Sequence, residues 1–187
     1  KNVKLHIRSQ IDFATILYQK GLYKQSLKIL DKAKSFALKY DENTSAYEIV
    51  EFEKLIESLY VTRSLSNRTN ELVSQTNHLK EQNDINSSLS NISLQLYEKL
   101  IKAGYAKSDI ESNEIQNFFS QKIQNFKVES LGFREKLIYF QIWVWYSLLV
   151  QDFLSSYKYA SKWIDTFNKN PEMIKIHPVF YLKGYKK

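Results

Sequence analysis

The side chains best suited to chemistry in this chain are four glutamates within one short stretch, Glu48, Glu51, Glu53 and Glu57. On an α-helix, Glu53 and Glu57 would share a face because they are four residues apart, whereas Glu51 and Glu53 would not. Carboxylates that project from one helix face occur in di-metal sites, where histidines complete the ligand set. Because no histidine lies nearby, we expect these glutamates to form a solvated helix face instead of a metal site.

Other catalytic patterns find no support in the sequence. His6, His78 and His177 are far apart, and none belongs to a His-x-x-x-His motif. No two glycines are close enough to form a phosphate-binding loop, and no serine lies in a Gly-x-Ser-x-Gly turn. The absence of cysteine excludes disulfides, thiolate metal ligands and a thiol nucleophile. We therefore expect no enzymatic activity, no metal and no cofactor.

The composition indicates an all-helical protein that could form one domain or a short run of repeats. The 187 residues are 43% hydrophobic and 14% aromatic, which is typical of a folded chain. The four glycines and two prolines are too few for the many turns of an all-β fold. Both prolines, Pro171 and Pro178, lie near the C-terminus, so long helices can form before them.

The longest apolar run, residues 137–150, is predicted to be a buried core helix. It is shorter than the roughly 20 residues that a membrane span requires, and it contains Gln141 and Ser147. The N-terminal residues lack the continuous apolar core of a signal peptide. We therefore expect a cytoplasmic protein without a membrane span.

The net charge of +7 lies entirely within residues 1–40, which hold nine basic and two acidic residues. Lys20, Lys24, Lys28 and Lys32 recur every four residues, so the last three would form a stripe on one helix. One interpretation is a solvated face that attracts the glutamates of the next helix. The other is a basic patch for nucleic acid or an acidic partner. The first is favoured, because lysine without arginine or exposed aromatic residues is a poor pattern for phosphate recognition.

Apolar residues recur at helical spacing along most of the chain. Predicted helices span residues 3–20, 23–40, 46–62, 66–103, 108–126, 133–154, 157–168 and 178–185. Gly104 is predicted to cap the end of the fourth helix, and Ser108 with Glu111 to open the fifth as a capping box. In the third helix, Leu55 and Leu59 are expected to face the core.

Residues 66–103 differ from the rest, because leucines spaced near seven residues alternate with polar Asn, Ser and Gln positions. A regular coiled coil is therefore poorly specified. The stretch could be one long helix that projects from the body or two helices with a break near residues 83–88. We favour one long helix whose half from Leu89 onward packs into the core.

Two stretches near the ends of the chain share an arrangement of small and aromatic residues. The positions are Ala14, Gly21, Tyr23, Ser26, Leu30 and Ala33 in the first, and Leu148, Ser155, Tyr157, Ala160, Ile164 and Phe167 in the second. The arrangement resembles the tetratricopeptide (TPR) family of helix pairs. Its small residues let two helices approach closely, and its tyrosine fills the groove beside the turn. The second match is degenerate, since Leu148 and Phe167 replace small residues.

The resemblance implies antiparallel helix pairs stacked as a TPR-like α-solenoid, a right-handed superhelix, with a long inserted helical region. Residues 1–40 would form the first pair, 41–130 the diverged insertion, and 131–187 the second pair with the start of a further helix. We expect a single structural domain, from a protein that continues beyond Lys187. The chain also weakly resembles helical-repeat proteins of unknown role that are common in AT-rich bacterial genomes.

TPR proteins bind peptides in a groove lined by the first helix of each pair. The corresponding positions here are Arg8, Ile11, Thr15, Tyr18, Ile142, Trp145, Tyr146 and Leu149. The clamp of lysine, asparagine and arginine that holds a terminal carboxylate in some family members is missing. An apolar groove of this kind would suit an amphipathic helix or an extended hydrophobic segment. The alternative is that Trp143, Trp145 and Tyr146 simply pack in the core.

Three functional hypotheses follow from these patterns. The first is a non-enzymatic helical-repeat scaffold that binds a protein or peptide. The second is a structural domain that pairs with another copy of the chain as a homo-oligomer. The third is binding of nucleic acid or an acidic partner by the lysine stripe. The sequence does not identify the partner.

Overall fold

A computed structural model describes residues 2–59 and 65–185, and every regular element in these two ranges is helical. The bounds are α1 Val3–Gln19, α2 Tyr23–Lys39, α3 Asn43–Leu59, α4 Leu65–Ala103, α5 Asp109–Ile123, α6 Phe133–Leu149, α7 Phe153–Asn168, α8 Glu172–Ile176 and α9 Pro178–Tyr185, with a short 3₁₀ turn at Val128–Ser130. The expected all-α class is confirmed.

The caps of α4 and α5 form as predicted. Gly104 adopts a φ of +69° directly after α4, a conformation that glycine reaches without strain. Ser108 opens α5 by accepting a hydrogen bond from the backbone N–H of Glu111 at 3.2 Å. The Glu111 carboxylate accepts one in return from the backbone N–H of Lys107 at 2.8 Å. These local signals are therefore reliable in this chain.

Three helix predictions differ from the structure. The predicted helix 133–154 is wrong, because α6 ends at Leu149 and the Asp152 carboxylate caps a new helix through the backbone N–H of Ser155. Leu55 and Leu59 were expected in the core but are exposed, since buried glutamates occupy the inner face of α3. The short helix α8 was not predicted, and the predicted end of the third helix at residue 62 lies outside the described residues.

Contacts divide the chain into two compact units, residues 1–84 and 85–187. The helix α4 is continuous, so the alternative with a break near residues 83–88 is wrong. Leu72 and Leu79 of α4 belong to the core of the first unit. Leu89 and Leu96 are fully buried in the core of the second, which confirms the predicted packing from Leu89 onward. The expected single domain, with an inserted region between two pairs, stays a prediction.

The first unit is built around the antiparallel pair α1–α2, against which α3 packs. Gly21, at a φ of +74°, lets the chain reverse direction between the two helices. Where the helices meet, the buried hydroxyl of Ser26 donates a hydrogen bond to the backbone carbonyl of Ala14 at 2.8 Å. Small side chains at both positions permit this close approach.

The second unit contains a pair, α6–α7, with the same turn geometry. Gln151 has a φ of +60°, and the N–H of Asp152 bonds to the carbonyl of Ser147 at 2.8 Å. The corresponding bond in the first pair joins the N–H of Leu22 to the carbonyl of Leu17 at 2.9 Å. Gln151 therefore occupies the place of Gly21 in this turn.

This equivalence shifts the predicted repeat register of the second pair by four residues. The buried Ser156, not Ala160, takes the place of Ser26. Tyr157 does not fill a groove beside the turn, because its side chain is 74% exposed. The predicted register placed the small residue Ser155 at the turn, whereas the structure uses Gln151 there.

The last helix, α9, packs on α7 through Gly184. A Cβ atom at this position would lie 2.6 Å from Cδ1 of Ile164, so the absence of a side chain allows the close approach. The packing of α9 matters because this helix carries Phe180 and Lys183, two residues of the cavity described below.

We expect Gly21→Ala to lower the free energy of unfolding by about 1 kcal/mol, because a residue with a Cβ atom resists positive φ. The cost is in the backbone, since the new Cβ would approach nothing closer than the Tyr23 hydroxyl at 4.0 Å. Gly21→Asn is the control, because asparagine also adds a Cβ atom but tolerates positive φ better than alanine does. Urea denaturation measures both variants, and equal losses would contradict the turn geometry.

Candidate partner-binding sites

The second unit contains a cavity of about 630 Å³ between three helices. Its lining consists of Ser90, Ser93, Leu94 and Tyr97 from α4, Ile138, Gln141 and Trp145 from α6, and Phe180 and Lys183 from α9. The lining is mainly apolar, with a few polar groups. Its volume falls within the range of about 300–1,000 Å³ that is usual for ligand pockets.

The helical period of α4 places these side chains at the cavity. Leu89 and Leu96 turn into the core, whereas Leu94 lies on another side of the helix and is 67% exposed. Tyr97, 44% exposed, packs its ring against Trp145 with the ring centroids 5.1 Å apart. Trp145 is itself buried and lines the cavity together with the exposed Leu94 and Tyr97. We call its ring the aromatic floor of the cavity.

The predicted groove residues of α6 divide between core and cavity. Ile142 and Leu149 are fully buried in the core. Tyr146 stacks on the ring of Phe119, with the centroids 3.9 Å apart. Of the four predicted residues on this helix, Trp145 is the one that lines the cavity. Core packing thus describes most of these side chains.

The predicted groove residues of α1 make contacts within the first unit. Arg8 is exposed, and its guanidinium contacts the Glu48 carboxylate at 2.7 Å. Ile11 is buried, and the Thr15 hydroxyl donates to the carbonyl of Ile11 at 2.9 Å. Tyr18 is half-buried, 5.5 Å from the ring of Phe52. Because these residues and those of α6 belong to different units, one continuous groove stays a prediction.

The four lysines of the predicted basic patch, Lys20, Lys24, Lys28 and Lys32, are all exposed. Three members of the repeat pattern, Tyr23, Ala33 and Ala160, pack within their units. Tyr23 is half-buried and packs against Tyr18, and Ala33 is buried in the core. Ala160 is buried in the second unit.

The expectation that Glu53 and Glu57 lie on a solvated face is wrong, because both side chains are buried. Oε2 of Glu53 accepts a hydrogen bond from Nζ of Lys34 at 2.5 Å. Oε1 of Glu53 lies 3.3 Å from Nη2 of Arg68. The helices α2 and α4 therefore cover this face of α3 with one lysine and one arginine.

Arg68 is the centre of a wider set of charges. Its guanidinium lies 3.1 Å from Glu71, 3.5 Å from Asp31 and 3.8 Å from Glu57. Burial disfavours the charged form of Arg68, but the surrounding carboxylates outweigh this effect and raise the pKa of Arg68. The guanidinium therefore stays charged and ties α2, α3 and α4 together.

Burial has the larger effect on Glu53 and raises the pKa of this carboxyl to about 7, although Lys34 and Arg68 act in the opposite direction. The carboxyl therefore titrates near neutral pH. The cluster could have been found from the sequence, since Lys34 lies at core spacing with Leu27, Leu30 and Ala37. A lysine within an apolar stripe requires a buried acidic partner.

Comparison of the chain with protein-family models, with curated proteins and with solved structures finds no match. Within residues 2–59 and 65–185, none of the helices combines the length and the apolar character that crossing a membrane requires.

Glu53→Gln tests the buried charge cluster. The folded protein binds the Glu53 proton more tightly than the unfolded chain does, so this carboxyl contributes stability below pH 4.5 that is lost as the pH rises through 7. A pKa shift from 4.5 to about 7 corresponds to at most about 3 kcal/mol. Relative to the wild type, Glu53→Gln should therefore become more stable as the pH is raised from 4.5 to 8.

Urea denaturation of both proteins across this pH range measures the difference in unfolding free energy. Glu51→Gln is the control, because Glu51 is half-exposed and pairs with Lys54 on the surface of the same helix. A difference for Glu53→Gln that is constant with pH, or that changes in the opposite direction, would show that ion pairing keeps Glu53 charged in the fold.

Proposed function

We propose that this protein is a non-enzymatic helical-repeat scaffold that binds an amphipathic helical segment of another protein. The observation that carries the proposal is the apolar cavity above Trp145, where Leu94 and Tyr97 remain exposed beside a buried aromatic floor. A groove that combines apolar walls with a few polar groups at its edge is typical of sites that bind a helix through one apolar face.

The TPR-like interpretation is supported by the two helix pairs. The pairs α1–α2 and α6–α7 share a turn with one residue in positive φ. They also share a buried serine at the same distance after that residue, Ser26 and Ser156. We propose that the pairs belong to a stacked, right-handed solenoid, in which the first helix of a pair contributes to the binding surface.

The lining suggests what the bound segment looks like. Trp145, Ile138 and Phe180 offer contact area for two or three aliphatic or aromatic side chains. Ser90, Ser93 and Gln141 can hydrogen-bond polar groups that flank these anchors. Lys183 adds one positive charge, which favours an acidic residue beside the apolar face of the segment. A helix with apolar anchors at positions i, i+3 or i+4 and i+7 meets these requirements.

Leu94→Glu tests the site, because it places a charge in the apolar wall without removing a core side chain. The probe is a displayed library of amphipathic helical peptides, and the tightest peptide is then labelled for fluorescence anisotropy. We expect Leu94→Glu to weaken its binding by at least about tenfold, since a charge would have to be desolvated on contact. Ile101→Glu is the matched control, because Ile101 is 66% exposed on the same helix but does not line the cavity.

The proposed function fails if no peptide binds the wild type better than Leu94→Glu, or if both variants lose affinity equally. Self-association is the competing explanation for the exposed apolar wall. Sedimentation of the wild type separates the two, because a dimer that Leu94→Glu dissociates would assign the cavity to a second copy of this chain.

A further inference from the structure

The first unit carries a positively charged surface on α2, in contrast to the apolar cavity of the second unit. Lys24, Lys28, Lys32 and Lys39 are all exposed. Their spacing of four and seven residues places them on one side of the helix. The residues that α2 buries lie on the other side and include Leu27, Leu30, Ala33 and Ala37. One face of α2 is therefore a row of four positive charges.

The glutamates of α3 that could have neutralised this row are bound elsewhere. Glu48 pairs with Arg8 at 2.7 Å, and Glu51 pairs with Lys54 at 2.7 Å. Glu53 pairs with the buried Lys34. The lysines of the row are exposed, as expected of a solvated face, whereas Glu48, Glu51 and Glu53 pair with other cations.

Asp31 makes ion pairs with residues outside the row. Although Asp31 lies on α2 itself, its carboxylate is directed to Arg68 at 3.5 Å and to Lys34 at 3.9 Å. In the part of the chain that the structure describes, no ion pair involves Lys24, Lys28 or Lys32. Lysines four residues apart repel each other and destabilise a helix by a few tenths of a kcal/mol per pair. A bound anion would relieve this repulsion.

A cleft lies at the C-terminal end of the lysine row. It has a volume of about 420 Å³ and is lined by Asp31, Lys32, Ser35, Phe36 and Lys39. Lys32, Lys39 and Ser35 therefore share this space with one acidic residue, Asp31, whose carboxylate also contacts Arg68 and Lys34. The ring of Phe36 in this wall packs edge-on against Tyr40, with the ring centroids 4.7 Å apart.

We propose that this lysine row binds an acidic segment of another polypeptide. The three lysines at a spacing of four residues repeat about every 6 Å along the helix axis, from a rise of about 1.5 Å per residue. A helix with Glu or Asp at every fourth position presents carboxylates at the same interval. The cleft at Lys32 and Lys39 would then hold the last acidic side chain.

The chemistry of the row favours carboxylates over nucleic acid. The row contains no arginine, whose planar guanidinium suits phosphate recognition. Phe36, the aromatic residue at the cleft, is half-buried and already packs against the rings of His6 and Tyr40. Lysines act here as point charges at regular spacing, which matches a regular series of carboxylates.

The test uses a synthetic helical peptide with glutamate at every fourth position, labelled with fluorescein, and the same peptide with glutamine as its control. The full chain is titrated against both by fluorescence anisotropy. We expect the glutamate peptide to bind and the glutamine peptide not to bind. Raising the salt concentration from 50 to 200 mM should weaken binding by about tenfold, because exposed ion pairs are screened.

The triple variant Lys24→Gln, Lys28→Gln, Lys32→Gln should lose about tenfold or more in affinity, since each exposed ion pair adds modestly. The matched control is Lys158→Gln, Lys162→Gln, Lys169→Gln in and after α7, which removes the same charge from exposed positions. Circular dichroism checks that both variants keep their helices. An equal loss in the two variants would overturn the proposal, because binding would then follow net charge alone.

A single-stranded oligonucleotide with the same number of negative charges serves as the competitor. The proposal predicts that it displaces the glutamate peptide less well than unlabelled peptide does. Tighter binding of the oligonucleotide would assign the row to nucleic acid and overturn the proposal. The result is independent of the apolar cavity, because Leu94→Glu changes a residue of the other unit.

Discussion

Both units depend on a chain reversal that fits between two helices. At Gly21, Asp41 and Gln151, one residue in positive φ directs the backbone back along the helix that it has just left. The N–H of the residue that follows, such as Leu22 after Gly21, then bonds to a carbonyl in the final turn of the preceding helix. Because the turn is so short, it sets the register of the two helices. That register brings Ser26 against Ala14 and thereby decides which side of α2 faces solvent.

The buried charges of the first unit also determine which side of α2 faces solvent. Lys34 lies on the core side of α2, and desolvation would be costly if it did not meet Glu53. A rotation of α2 about its axis would separate Lys34 from Glu53 and leave this buried ammonium without its nearest carboxylate. The inward lysine therefore holds the other lysines of the helix, such as Lys28, on the outer side. One buried ion pair and one exposed row are thus two consequences of a single helix orientation.

Local patterns in the sequence predicted the helices, the cap at Gly104 and the capping box of Ser108 and Glu111, since these depend on neighbouring residues. The turn at Gln151 was missed, because glutamine in positive φ carries no local signal and the apolar pattern continues past it. The burial of Glu53 depends on residues of two other helices, which periodicity within α3 cannot reveal. The cavity likewise requires α4, α6 and α9 together. Repeat analogy nevertheless found Trp145, because it lies on the first helix of its pair.

Exposed apolar residues occur throughout this protein, and most have no special meaning. Leu154 is 80% exposed, yet it lies beside a turn and is not among the residues that line the cavity near Trp145. Single exposed side chains of this kind are normal. Leu94 and Tyr97 differ because they line the same cavity as the buried Trp145, and this space can hold several side chains. A tryptophan floor with exposed apolar walls resembles the centre of an interface, where buried aromatic residues carry most of the binding energy. This arrangement, and not the amount of exposed apolar surface, makes the cavity the candidate site of the second unit.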